Sequence, residues 1–266
     1  MTKVLVVGWD GATWSCLKKW VDDGLMPNLK RLMEEGVWGN LKSVIPPVSP
    51  VAWPSFATGC NPGRHGVYGF QQLKRGETEP FIPLGHNIRE KKLWQILSEN
   101  DFESVVMNVQ LTYPPDKIKG AIVSGVMAPE ISCNDKEVEK YLKGSGYVIE
   151  GLGHMDTPKK EFVKDLYEVT EKRFMCAMEL MDKKSRDFFM LLVSGTDRVQ
   201  HYLWGDMEDE GEYGSAIRDY YVYLDEKLGE IIEHAKADYV LVMSDHGFCR
   251  QKKRVHINHW LKEKGY

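Results

Sequence analysis

No two of the five cysteines form a CxxC pair: Cys16, Cys60, Cys133, Cys176 and Cys249 stand singly. That scatter argues against a zinc–thiolate site and suggests reduced thiols. Long apolar runs are also missing. The N-terminal "VLVVG" is too short for the apolar region of a signal peptide or for a membrane span, so a soluble cytoplasmic protein without a membrane partner is expected. A formal net charge of -4 leaves no basic face for a nucleic-acid polymer. There is no internal repeat, no low-complexity tract and no linker rich in Pro, Gly or Ser. With 266 residues, 42% hydrophobic and 28% charged, the chain can bury an ample core, and its composition speaks against disorder. One domain over 1–266 is expected.

Five short β-branched or apolar runs read as core strands: 3–8, 104–109, 120–125, 188–193 and 239–244. Continuous apolar runs of this length suit strands covered on both faces, as in a parallel sheet. Helical patterns lie between several of them. "MPNLKRLMEEG" (26–36) places Leu29, Leu32 and Met33 on one face and ends at Gly36 as a C-terminal cap. The stretch 157–184 predicts a long helix capped by Thr157 with Pro158 in its first position, and 216–235 predicts another. Alternating strands and helices indicate an α/β fold with a mostly parallel central sheet flanked by helices. The segments around 71–92 and 126–156 lack clear periodicity and are expected to form loops or a small cap.

Three of the apolar runs end on an aspartate: "VLVVGWDG" at Asp10, "MLLVSGTDRVQH" at Asp197, and "LVMSDHGF" at Asp245, followed by His246. Ligands of open α/β sheets bind beyond the carboxyl ends of the strands. Three acids converging there repel one another unless a cation lies between them. Asp197 and His201 stand four residues apart, a spacing that puts both on one face of a helix. Oxygen and imidazole donors without thiolates suit Zn²⁺, Mn²⁺ or a similar first-row ion.

"PPVSPVAWPSFATGCNPGRHG" (46–66) contains Ser49 ahead of Pro50 and a helix-like stretch to Thr58 and Gly59. Two readings stand side by side. Ser49 can be an ordinary helix cap. It can also be a nucleophile, activated by a metal, at a helix start whose free N–H groups receive a phosphoryl group.

Together, "GWDG", "MPNLKRLMEEG", "PPVSPVAWPSFATGCNPGRHGV", "TDRVQH" and "SDHGF" resemble the alkaline phosphatase superfamily, in particular its type I phosphodiesterase/nucleotide pyrophosphatase branch. The resemblance implies an alkaline-phosphatase-like fold and two divalent metal ions, Zn²⁺ first and Mn²⁺ second. It implies a phosphoseryl intermediate on Ser49. Asp10, Asp245 and His246 would hold one metal, with Ser49 directed at it, and Asp197 and His201 the other. The expected reaction is hydrolysis of a phosphodiester or nucleotide pyrophosphate, with a small-molecule phosphate ester or nucleotide as substrate. The alternatives are a phosphomonoesterase, a phosphomutase, or a metal-binding fragment deficient in catalysis. A sulfatase is disfavoured because no cysteine occupies the nucleophile position.

The sequence departs from that pattern in two places. The branch places an asparagine shortly after "HG", where this chain has Phe70; Asn108 and Arg64 are the candidates to substitute as phosphate contacts, each read alternatively as a structural residue. The superfamily completes the second metal site with a histidine well downstream of "DHG". Here Tyr266 ends the sequence 20 residues after His246, which leaves His256, with His259 beside it, as the available ligand. "HWLKEKGY" reads as the start of another helix, and a fragment lacking the C-terminal part of the fold is the expectation. His65, His86, His154 and His234 read as turn, loop or helix-end residues. Trp9, Trp14, Trp38 and Trp53 are read either as core residues or as the lining of a substrate pocket.

Overall fold

The computed structural model describes residues 2–153, 157–184 and 187–266. The chain begins with β1 (Val4–Trp9), α1 (Trp14–Asp22), α2 (Pro27–Glu35), α3 (Ser49–Thr58), α4 (Pro62–His65) and α5 (Leu93–Glu99). It continues with β2 (Ser104–Met107), β3 (Gly120–Val123), α6 (Lys136–Ser145), α7 (Lys159–Lys183) and β4 (Phe188–Val193). It closes with α8 (Gly195–Glu208), α9 (Ala216–Ala235), β5 (Tyr239–Met243) and α10 (Ile257–Glu263). His154 lies outside the described residues.

The five strands pair in the order β3-β2-β4-β1-β5, every pair parallel. Side chains alternate between two clusters, as a pleated strand requires. Leu5, Val7, Phe189, Leu191, Val105 and Met107 enter the larger cluster with α1, α2 and α6 to α9. Val6, Met190, Leu192 and Val106 enter the smaller one with Trp53 and Trp94. Burial on both faces explains why β1 to β4 read as unbroken apolar runs. The edge strand β5 departs from that expectation. Val240 and Val242 pack on the larger cluster, whereas Tyr239 is 73% and Leu241 45% exposed on the other face.

The strand order has a direct consequence for chemistry. β4, β1 and β5 are neighbours, and these are the three strands followed by aspartates. Parallel pairing sets Trp9 opposite Val193 and Gly8 opposite Met243, so the three carboxyl ends finish level.

Local details adjust several expectations. α9 has the predicted limits, and α7 begins one residue later than predicted. Pro158 takes the cap position, and its carbonyl accepts from the Phe162 N–H at 2.9 Å. Gly36 ends α2 in an extended conformation rather than a left-handed one. The region 126–156 contains a helix, α6, capped by Asp135, which accepts from the Glu137 and Val138 N–H groups. Only Val138 and Leu142 of α6 are buried, too few positions to make a periodic pattern in sequence. The region 71–92 stays irregular apart from the Gln72–Phe81 bridge and a single turn of 3-10 helix at Gly85–Asn87. All five cysteines are free thiols. No described helix is long and apolar enough to cross a membrane.

Candidate active site

Asp10 leaves β1 almost fully buried, at 1% exposure, and Asp245 leaves β5 at 6%. Between them the chain turns at Gly11 with φ of 66°, in the left-handed region. The Gly11 N–H donates to Asp245 Oδ1 at 3.2 Å, and its carbonyl accepts from Gln200 Nε2 at 2.9 Å. A Cβ on residue 11 would lie 2.9 Å from Asp197 Oδ1, so this close approach needs glycine. One glycine therefore joins the ends of three strands.

Ser49 is the first residue of α3. Val48 takes the cap position, and no side chain caps the helix, so the cap reading of Ser49 does not hold. Its Oγ instead donates to Asp10 Oδ1 at 3.1 Å and lies 3.0 Å from His246 Nε2. His246 Nδ1 sits 2.9 Å from the Gly247 carbonyl. A carbonyl only accepts, so this contact is made by a protonated Nδ1, which leaves Nε2 turned towards the site. The same nitrogen is 3.5 Å from Asp10 Oδ1 and 3.4 Å from Asp245 Oδ2. Ser43 Oγ donates to the Asp245 carbonyl at 2.6 Å and ties the extended stretch ahead of α3 to this strand end.

The helix start is less open to an anion than its sequence suggests. Pro50 has no N–H, and the Val51 and Ala52 N–H groups both donate to the Val48 carbonyl. The first-turn amide left for a ligand is that of Ser49 itself.

Asp197 and His201 share one face of α8, with Nε2 to Oδ1 at 3.4 Å, as their spacing predicts. Asp197 lies in the first turn, where the helix dipole favours a negative charge. The His201 ring meets Phe248, two residues after His246, edge-on at 4.8 Å between ring centres.

The electrostatics are those of crowded acids. Burial pushes the Asp10 carboxyl well above the usual carboxylate range, and the charges of Asp245 and Asp197 push it further. Burial also raises Asp245, with Asp197 adding to it and His246 opposing. Asp197 raises the His201 imidazole. Asp245 Oδ2 and Asp197 Oδ1 are buried with no well-formed hydrogen bond, each having only an imidazole Nε2 at 3.4 Å, His246 and His201 respectively. Leaving such oxygens poorly satisfied is costly, and a cation would relieve both burial and repulsion. Among the described residues, one cluster of His, Cys, Asp and Glu brings three donor atoms within 4.8 Å of one another: Asp10, Asp245 and His246. The donor set fits a divalent ion.

Other candidates stand apart from this cluster. Asn108 follows β2, but it is fully buried and presents no surface to a substrate. The amide orientation that satisfies both its ends donates to the Ile149 carbonyl at 3.0 Å and accepts from Arg173 at 3.3 Å. Arg64 is exposed and pairs with Glu90 at 3.1 Å. His256 is exposed at the start of α10, and His259 pairs with Glu263 at 3.2 Å. Neither joins the cluster, because α10 presents both to solvent instead of folding them back over the strand ends. Trp9 and Trp53 are core residues, while Trp14 and Trp38 pack against each other at 5.1 Å. Sequence reasoning missed Gln110, whose Nε2 donates to Asp10 Oδ2 at 3.2 Å. Its signal was available: Gln110 follows a strand end, the criterion that singled out the aspartates.

The sequence matches the type I phosphodiesterase/nucleotide pyrophosphatase family over residues 4–266. The chain belongs to this family. Comparison with curated proteins gave no match. Among solved structures, phosphonoacetate hydrolase from Sinorhizobium meliloti 1021 is similar in two complexes. With phosphonoformate the identity is 20% and the TM-score 0.72, covering 98% of this chain and 62% of that one. With phosphonoacetate the identity is 20% and the TM-score 0.73, covering 99% and 62%. A Bacteroides thetaiotaomicron chain from a glycosaminoglycan-metabolism locus follows at 13% identity and a TM-score of 0.50, covering 92% and 61%. This phosphodiesterase-family chain thus spans about 62% of the length of the phosphonoacetate hydrolase chains it matches. At these identities the likeness shows the fold, which is alkaline-phosphatase-like, as the motifs imply.

Proposed function

We propose that this chain is a metal-dependent hydrolase of phosphate esters with Ser49 as nucleophile. The observation that carries the reading is the Ser49 hydroxyl at a helix start, 3.1 Å from Asp10 Oδ1 and 3.0 Å from His246 Nε2, beside buried acids with oxygens that lack a well-formed hydrogen bond. Asp10, Asp245 and His246 would hold one divalent ion, and Asp197 and His201 a second. Zn²⁺ suits this oxygen and imidazole set first, Mn²⁺ second. Such ions would favour the serine alkoxide and offset charge on the transferring phosphoryl group.

The chain's own residues supply position and proton traffic. Asp10 Oδ1 orients the Ser49 hydroxyl and accepts its hydrogen bond. Ser49 Oγ gives up its proton to solvent and forms the new bond to phosphorus as the bond from phosphorus to the leaving-group oxygen breaks, and that oxygen takes a proton from solvent. Water then cleaves the phosphoserine ester, releasing the phosphoryl group and restoring the serine hydroxyl. With the Ser49 amide left for a ligand in this helix turn, Asp10, Asp245 and His246 would hold a cation that would supply most of the charge stabilisation.

Phosphodiesters or nucleotide pyrophosphates lead as substrates because the family is named for them. A second reading, a phosphomonoesterase or phosphomutase, is favoured by Phe70, which is 52% exposed where the branch places an asparagine. A panel of bis-aryl phosphate, aryl monophosphate and phosphonoacetate, each with Zn²⁺ or Mn²⁺, separates these readings. Turnover of the diester at least ten times faster than the monoester is the expected result. A preference for the monoester assigns the second reading, and no metal-dependent turnover on any of the three sinks the proposal.

The two metal positions are unequal. One collects three protein donors and Ser49, while the other, among the described residues, has Asp197 and His201. Stable zinc sites offer three or four protein ligands. Titration of the metal-free protein is therefore expected to show one tight Zn²⁺ followed by one much weaker. Anomalous diffraction showing two fully occupied ions, without a further protein ligand at the second, would refute this.

A further inference from the structure

The two oxygens of Asp10 are not equivalent. Oδ1 faces Ser49 and His246, at 3.1 Å and 3.5 Å. Oδ2 faces away and receives two N–H donors, Trp53 Nε1 at 3.1 Å and Gln110 Nε2 at 3.2 Å. We propose that Gln110 and Trp53 are positioning residues that hold Asp10 Oδ2, so that this carboxylate presents Oδ1 alone to the nucleophile and to a metal ion. This inference rests on the metal-dependent reading above.

The chemistry of the donors supports it. Both are neutral, so they support the carboxylate's negative charge without cancelling it. A lysine or arginine in the same place would pair with Asp10 and compete with a cation for it. Outer donors of this kind fix the orientation of a ligating carboxylate and tune its affinity.

The local architecture supports it as well. Ser49 and Trp53 are one helical turn apart on the same face of α3. A single helix thus reaches both oxygens, Oδ1 through Ser49 and Oδ2 through Trp53. The indole can lie against β1 because residue 8 is glycine: a Cβ there would sit 2.7 Å from Trp53 Cη2. Gln110 arrives from a different element, beyond the end of β2. Its Oε1 is buried without a partner, so its contact with Asp10 is what holds the amide end. Turning the amide over would set that oxygen against the carboxylate, which fixes the orientation seen.

Zn²⁺ affinity, measured by competition with a chromophoric chelator, separates positioning from mere packing. Gln110→Met keeps the length of the side chain and removes the N–H. Trp53→Phe keeps an aromatic ring and removes the N–H. Each is expected to weaken the tight Zn²⁺ site roughly tenfold, the lower end of what outer-shell losses cost, at a temperature where circular dichroism shows the fold intact. Trp94→Phe is the control: that indole is equally buried and donates to Asp116, outside the site, so the affinity should not change. Wild-type affinity in both Gln110→Met and Trp53→Phe overturns the inference alone. Should Trp53→Phe fail to fold, Gln110→Met decides. Failure of wild-type protein to take up Zn²⁺ overturns the metal reading, and this inference with it.

Discussion

Ser49→Ala is expected to abolish turnover, by roughly 1,000-fold or more, because the substitution removes the atom that forms the covalent bond. The fold should survive. Ser49 does not cap α3, so the stability at stake is its hydrogen bond to Asp10, about 1 kcal/mol. Covalent chemistry offers a check independent of rate. Acid-quenched wild-type enzyme should carry phosphoserine on the tryptic peptide spanning residues 43–64, which lies between Lys42 and Arg64 and contains Ser49. The variant should carry none there. Label persisting on that peptide in the variant, or equal turnover by both proteins, would remove Ser49 from its proposed role.

Asp10→Asn should have opposite effects on binding and on stability. The carboxyl of Asp10 is raised well above its ordinary range by burial first and by Asp245 and Asp197 next. The folded protein therefore holds this proton more tightly than the unfolded chain does. The corresponding stability is fully present below the ordinary carboxylate pKa and is lost as pH rises through the raised one. Metal-free wild-type protein should thus lose stability across that window, and metal-free Asp10→Asn, in which Asp245 alone of the pair still titrates, should lose less. His201 and Asp225 are also raised and His65 is lowered, but these groups are common to both proteins; Asp245 is raised too and its charge acts on Asp10, so the difference between the two reports the Asp10–Asp245 pair. Above the window the variant should melt higher, by about 2–4 °C for each kcal/mol recovered.

Zn²⁺ should reverse that order. Ion binding requires the deprotonated carboxylate and releases protons, so the wild-type holoprotein gains stability as pH rises. At 1,000 times its dissociation constant a bound ion adds about 4.1 kcal/mol, a benefit that chelation removes and that Asp10→Asn should largely lack. Scanning calorimetry of both proteins with Zn²⁺ and with EDTA tests the whole set. If wild-type protein melts at the same temperature in both, no metal holds these strand ends together.

The positions of the five strands and of α2, α7 and α9 were legible because each is a local pattern. The run 188–193 was read to the residue, and α9 likewise, since an unbroken apolar stretch or a 3.6-residue stripe is complete within its own segment. Asp10, Asp197, His201, Asp245 and His246 were legible as candidate donors for a related reason. A polar residue directly after a buried strand, or two donors at helical spacing, is costly unless something uses them. What the sequence could not determine by itself was how those segments pair. The order β3-β2-β4-β1-β5 sets the three aspartate-bearing ends side by side, and it depends on contacts between residues as far apart as Gly11 and Asp245. Local propensity carries no information about pairings across that distance. Tertiary structure also decided which side chains meet. It turned Ser49 from a cap into Asp10's partner, buried Asn108 under Arg173 and Ile149, and left His256 in solvent. It brought Gln110 and Trp53 onto the far oxygen of Asp10, because the direction in which a side chain points beyond a strand end is set by the elements packed against it.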